Sequence, residues 1–92
     1  MTNEKFINEA IKLVQNYTVE HFDKTDKVPP FDVFVVWNCY ILGNQKAMLS
    51  TTVSDGMYYE VTYNAAKDEI YLDAYKKFEN RCINYKNAQL IK

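Results

Sequence analysis

Histidine and cysteine are scarce in this chain, and the spacing of its ionisable side chains assembles none of them into a site. The single histidine, His21, closes the first helical pattern. A place on an apolar stripe or beside a C-terminal carbonyl makes it structural rather than catalytic. Cys39 and Cys82 stand alone, with no CxxC pair, and read as free thiols rather than a disulfide. Nothing in the sequence around either thiol suggests activation, so a Cys/His nucleophile is set aside. A structural zinc site needs four Cys or His ligands and the chain has three candidates. Asp68, Glu69 and Asp73 could gather a hard cation, although Glu69 and Asp73 fall on the same strand face and the plain reading is a solvated edge. The two glycines, Gly43 and Gly56, both sit in turn signals, so there is no phosphate-binding loop. No catalytic residue, metal or cofactor is assigned, and the chain reads as non-enzymatic.

What remains is a surface chemistry of tyrosine. Five of the eight tyrosines fall between Asp55 and Lys77. Strand alternation there puts Tyr58, Glu60, Thr62, Tyr71 and Asp73 on one face, with Tyr58 diagonal to Tyr71. Such a pair is either an ordinary cross-strand contact worth about 0.2–1 kcal/mol or part of a binding surface, since tyrosine offers large area at little rotamer cost. Tyr75, Lys76, Lys77 and Arg81 follow at once, as a basic helical turn bordering the patch or as a solvated helix face. The candidate binding residues are therefore Tyr58, Tyr71, Tyr75, Lys76, Lys77 and Arg81.

The elements that position these groups follow from periodicity. Phe6, Ile7, Ala10, Ile11, Val14, Tyr17 and His21 recur at helical spacing, with Thr2 as N-cap and Glu4 near the positive helix end. Pro29 and Pro30 prevent continuation, leaving Asp23 to Pro30 as a linker. Asp32–Leu42 and Lys46–Val53 read as strands around a Gly43-Asn44 turn. A three-residue loop at Ser54-Asp55-Gly56 pairs Thr51 with Tyr59 and Leu49 with Val61. A four-residue loop from Asn64 to Lys67 pairs Val61 with Ile70 and Tyr59 with Leu72. Both closures give one buried face: Leu49, Thr51, Val53, Met57, Tyr59, Val61, Tyr63, Ile70 and Leu72. Beyond Leu72, Ala74, Phe78, Cys82 and Tyr85 fit a second helix, Ala74–Tyr85, capped by Asp73. The competing reading extends the fourth strand through Phe78. Residues after Lys86 are expected to fray. The fold class is α+β: one domain spanning 1–92, with an N-terminal helix, a four-stranded antiparallel meander and a short C-terminal helix.

Both alternating sets of the first strand are apolar. Val33, Val35, Trp37, Cys39 and Ile41 form one row; Phe34, Val36, Tyr40 and Leu42 form the other. Two helices can cover only one face of the sheet, so the second row, Phe34, Val36, Tyr40 and Leu42, is expected to join another copy in a homo-oligomer.

Composition narrows the partners. Apolar residues make up 48% and charged residues 25%, the balance of a globular chain. A net charge of −1 gives no bulk attraction to nucleic acid or anionic membrane, and the basic residues are spread out and matched by acids. The amino terminus lacks the basic start and apolar run of a secretory signal, so a soluble intracellular protein is expected.

The strings VVW (Val35 to Trp37), KAMLSTT (Lys46 to Thr52), DGMYYEVTYN (Asp55 to Asn64) and EIYLDAYKK (Glu69 to Lys77) resemble an uncharacterised family of small proteins. Phages and prophages of Gram-positive bacteria carry them. The likeness runs from the first helix to about Ile83, with one departure: the family's pattern has glycine after Asn64, where this chain has Ala65. The family has no established catalytic or binding residues to carry over. The resemblance implies an accessory protein in the cytoplasm of an infected bacterium, acting by stoichiometric binding to inhibit a host or anti-phage defence protein. The alternative is an oligomeric sponge for a nucleotide-derived immune signal, stacking bases on tyrosines and meeting phosphates with Lys76, Lys77 or Arg81.

Overall fold

The structure, a computed structural model, describes residues 1–22, 28–86 and the backbone of 89–91. Five residues of the expected linker, 23–27, lie outside the described residues, as do 87, 88 and 92.

The chain opens with helix α1, Asn3–Glu20. Thr2 caps it, its side chain accepting from the Lys5 N–H at 3.1 Å. This satisfies one of the donors that a helix start leaves unpaired. Phe6, Ala10, Val14 and Thr18 form the buried stripe. Four strands follow: β1 (Val33–Ile41), β2 (Asn44–Thr51), β3 (Met57–Asn64) and β4 (Glu69–Lys76). They form one antiparallel meander in the order β1-β2-β3-β4. The α1 stripe packs against Ala47, Leu49, Tyr59 and Val61, with Val33, Val35, Met57, Tyr63 and Leu72 around them. Among the described residues, α1 and the meander thus make two layers, one helix on one sheet face.

The register differs from expectation by two residues at both hairpins. Leu49 pairs with Tyr59 and Ala47 with Val61; Val61 pairs with Leu72 and Tyr59 with Ala74. Thr52 explains the first shift. Its N–H donates to the Asp32 carbonyl at 2.9 Å and its hydroxyl accepts from the Asp32 N–H at 2.9 Å. Held against the β1 end in this way, residues 52–56 form a longer loop than the expected Ser54-Asp55-Gly56. In the third turn Asn64 takes over the closing role, its side-chain oxygen accepting from the Ala66 and Lys67 N–H groups. Asp68, not Ala65, takes the positive φ, at 51°. A shift of two leaves every side chain on its original face. The expected core face therefore stands, except that Ile70 is exposed at its rim.

The expected second helix, Ala74–Tyr85, does not form. Chain 74–76 continues β4, with Tyr75 opposite Tyr58 and Lys76 opposite Met57, and the Lys77 N–H donates to the Gly56 carbonyl at 2.8 Å. Helical spacing is a local signal, and here it loses to the hydrogen-bonding edge of β3, which runs to Met57 and needs a partner for its full length. Within the range of the expected helix, β5 (Cys82–Asn84) forms and pairs with β6 (Gln89–Ile91), in the region where fraying was expected; residues 87, 88 and 92 of that region lie outside the described residues.

Candidate functional site

The face of the sheet away from α1 carries the candidate site, and a bulge in β1 decides its composition. Val35 pairs with Leu49, but Trp37 pairs with Met48, so Val36 is an extra residue. Before the bulge, Val33 and Val35 point to the helix. After it, the parity inverts: Asn38 opposes the buried Ala47 and Tyr40 opposes Gln45, whose amide reaches the Met1 carbonyl on the helix side. Trp37, Cys39 and Ile41 are thereby turned to the open face beside Met48, Lys46 and Asn44. The expected oligomer row is broken up. Phe34 lies on the open face, Val36 on the bulge, Tyr40 on the helix side at the sheet's edge, and Leu42 in the turn. All four are exposed.

Reading across the strands, the open face has four rungs: Phe34, Ser50, Tyr58, Tyr75; then Trp37, Met48, Glu60, Asp73; then Cys39, Lys46, Thr62, Tyr71; then Ile41, Asn44, Asn64, Glu69. The β1 side is apolar. The β4 side alternates tyrosine with carboxylate. At the centre Lys46 and Glu60 form a 3.6 Å ion pair. The Ser50 hydroxyl donates to the Met57 carbonyl at 2.9 Å, which removes its polarity from the rung between Phe34 and Tyr58.

Tyr58, Tyr71 and Tyr75 share this face, as alternation requires. Tyr58 is directly opposite Tyr75, not diagonal to Tyr71, because of the register shift; Tyr71 is opposite Thr62 two rungs away. The Tyr71 hydroxyl donates to the Glu69 carboxylate, and this bond, more than burial, raises its pKa above the ordinary tyrosine value. The basic residues do not join the tyrosines. Lys76 pairs with Met57 and so belongs to the helix side. Lys77 is exposed beyond the strand, and Arg81 is held by Glu79 at 2.8 Å. With no second helix, the expected basic turn does not exist. Asp68 is likewise drawn away from Glu69 and Asp73, accepting from the Tyr63 hydroxyl at 2.6 Å. Among the described residues no three metal-ligand side chains cluster.

Sequence reasoning missed a concavity at the C-terminal end of α1. A cavity of about 150 Å³ is lined by Tyr17, Thr18, His21, Phe22, Val53, Asp55, Met57 and Tyr59. His21 is the helix C-cap; its ring stacks on Tyr17 at 4.1 Å and its Nδ1 donates to the Tyr17 carbonyl at 2.8 Å. Tyr59 meets Tyr17 edge to face at 5.5 Å. Burial raises the Tyr59 pKa, Asp55 and Tyr17 add to the rise, and a hydrogen bond with Thr18 opposes it. Only the recurrence of Tyr17 and His21 at helical spacing hinted at this cluster.

No helix among the described residues is long and apolar enough to cross a membrane. Cys39 and Cys82 are both free and exposed. A family described only as being of unknown function, DUF6275, matches residues 7–85. No curated protein and no solved structure matches the chain.

Proposed function

We propose that this chain, which belongs to the DUF6275 family of unknown function, is a binding protein that occupies a partner protein through the tyrosine side of its open sheet face. In this reading it is a phage-encoded accessory protein in the cytoplasm of an infected Gram-positive bacterium, and it inhibits a host or defence protein by stoichiometric contact. The observation that carries the binding role is the asymmetry of the sheet: α1 covers one face, while the other presents Tyr58, Tyr71 and Tyr75. The carboxylates beside them set the partner's chemistry. Glu69 and Asp73 face outward with one lysine, Lys46, already engaged by Glu60. The matching surface is apolar at its centre with Arg or Lys at its rim. Phage origin rests on the four sequence strings that resemble prophage proteins.

The test has two stages. A partner captured from lysate is purified and titrated, and a complex of fixed stoichiometry that loses the partner's activity supports inhibition. Combined Tyr58→Ala, Tyr71→Ala and Tyr75→Ala should then weaken the complex by at least about tenfold, since interface tyrosines are common hot spots. Unchanged affinity in this triple variant would overturn the surface assignment. The nucleotide-sponge alternative draws less support, because the tyrosine face carries carboxylates where phosphates would need cations, and Arg81 is spoken for by Glu79. A thermal shift with cyclic or ADP-ribose nucleotides would reverse that order.

A further inference from the structure

We propose that the cavity at the C-terminal end of α1 binds a guanidinium group, held by the Asp55 carboxylate among the rings of Tyr17, Phe22 and Tyr59. The site is separate from the tyrosine face, since none of Tyr58, Tyr71 and Tyr75 lines it.

Donors and acceptors in the lining select the charge of the ligand. The N–H groups of its three loop residues are already bonded: Val53 donates to the Thr51 hydroxyl at 3.2 Å, Asp55 to the Val53 carbonyl at 2.9 Å, and Met57 to Asp55 Oδ1 at 3.1 Å. On the helix side the Thr18 hydroxyl donates to the Val14 carbonyl at 2.8 Å, and His21 Nδ1 donates to the Tyr17 carbonyl. These donors are all engaged within the chain. They leave two acceptors: His21 Nε2 in the neutral ring, and Asp55 Oδ2, which has no partner among the described residues. No described lysine or arginine lines the cavity. An anion here would meet a carboxylate with no cation to offset it, whereas a cation rich in N–H groups supplies the partner that Asp55 lacks.

The walls narrow the choice to a flat cation. Tyr17 is stacked on His21 with centroids 4.1 Å apart and meets Tyr59 edge-on at 5.5 Å, and Phe22 rests against Phe31 at 5.8 Å. Rings held by such neighbours need little ordering when a ligand arrives. Guanidinium is planar and weakly hydrated, and it stacks on aromatic rings while its fork of N–H groups meets a carboxylate. An ammonium is a strongly hydrated point charge, which gives up more on leaving water.

Size, field and access agree with this ligand. The cavity measures about 150 Å³, the size that admits benzene in an apolar site, and a guanidinium with one or two attached carbons is about as large. Burial raises the Tyr59 pKa most and Asp55 adds to the rise, so the field of the carboxylate reaches the buried wall of the cavity. His21 is exposed and Tyr17, Phe22, Val53, Asp55 and Met57 are half-buried, so among the described residues the rim is open to solvent.

The test uses the full chain, isotope-labelled for NMR. It is titrated with ethylguanidinium, with ethylurea as the neutral molecule of the same shape, and with butylammonium. Ethylguanidinium should shift the amide signals of Asp55 and Met57 and the ring signals of Tyr17 and His21, and should bind at least about tenfold more tightly than the other two. Asp55→Asn removes the charge but keeps an Oδ1 to accept from Met57, so the melting transition should stay while ethylguanidinium affinity falls at least about tenfold. N-acetylarginine N-methylamide separates the two sources of the group. Affinity equal to or above that of ethylguanidinium assigns the site to a peptide arginine; weaker binding assigns it to a free guanidine compound. Ethylurea or butylammonium binding as tightly as ethylguanidinium, no shift at the cavity residues, or unchanged affinity in Asp55→Asn would overturn the proposal.

Discussion

Leu42 has its backbone at φ 50°, beside Gly43 at φ 79°, in the two-residue turn between Ile41 and Asn44. Two positive φ values match the right-handed twist of a hairpin, and Asn-Gly is the pair that adopts them most readily. A leucine there costs roughly 1–2 kcal/mol in backbone strain. Its side chain is 95% exposed, so it gains nothing within the monomer to offset that cost. Leu42→Asn should therefore raise stability by about 0.5–1 kcal/mol, read as a few degrees in the melting temperature. A fall would mean that Leu42 is covered in an assembly, the role that the alternation of β1 suggests.

At the scale of elements, one helix stabilises one sheet through a short set of contacts. Leu49 is fully buried between Val35 and Tyr59 on the neighbouring strands, under α1. Leu49→Ala should cost about 2–5 kcal/mol, because the cavity adds to the lost transfer energy. Denaturant titration measures it, and a cost below about 1 kcal/mol would show that the layer repacks around the gap. The bulge at Val36 belongs to this scale too. It separates the valines that face α1 from Trp37, which has no helix to cover it and turns to the open face.

The whole molecule responds to alkali through Tyr59. Burial raises its folded pKa above 10.0, while in the unfolded chain the phenol ionises near its ordinary value. Below that value both states keep the proton and the contribution is complete. As pH rises through the interval above 10.0, the unfolded state releases a proton that the folded state retains, and stability falls. Midpoints of denaturant unfolding should therefore drop from pH 10 upward, and drop less steeply in Tyr59→Phe. Equal slopes would mean that other groups carry the alkaline loss. Tyr63 and Tyr71, each bonded to a carboxylate, are raised as well and account for a residual slope in the variant.

Local rules were enough for α1, its Thr2 cap, the meander order and the face of nearly every side chain from Leu49 to Leu72. They survived a two-residue error in both registers because strand alternation has period two, so an even slip changes partners without changing faces. The placing of Tyr58 and Tyr71 on one surface was legible for the same reason, whereas Tyr75 was read into a helical turn and joins them only through the continuation of β4. Tertiary structure decided three matters. The extra residue in β1 is invisible to alternation when every neighbour is apolar, as from Val33 to Trp37, because no polar side chain marks where the parity inverts. The fate of residues 74–76 turned on pairing with Met57 to Tyr59 upstream, which helical spacing cannot register, and with it went the expected basic turn of Lys76, Lys77 and Arg81. The cluster of Tyr17, His21, Asp55 and Tyr59 joins a helix end to a strand and a loop, and only the packing of α1 on the sheet brings those segments to one place.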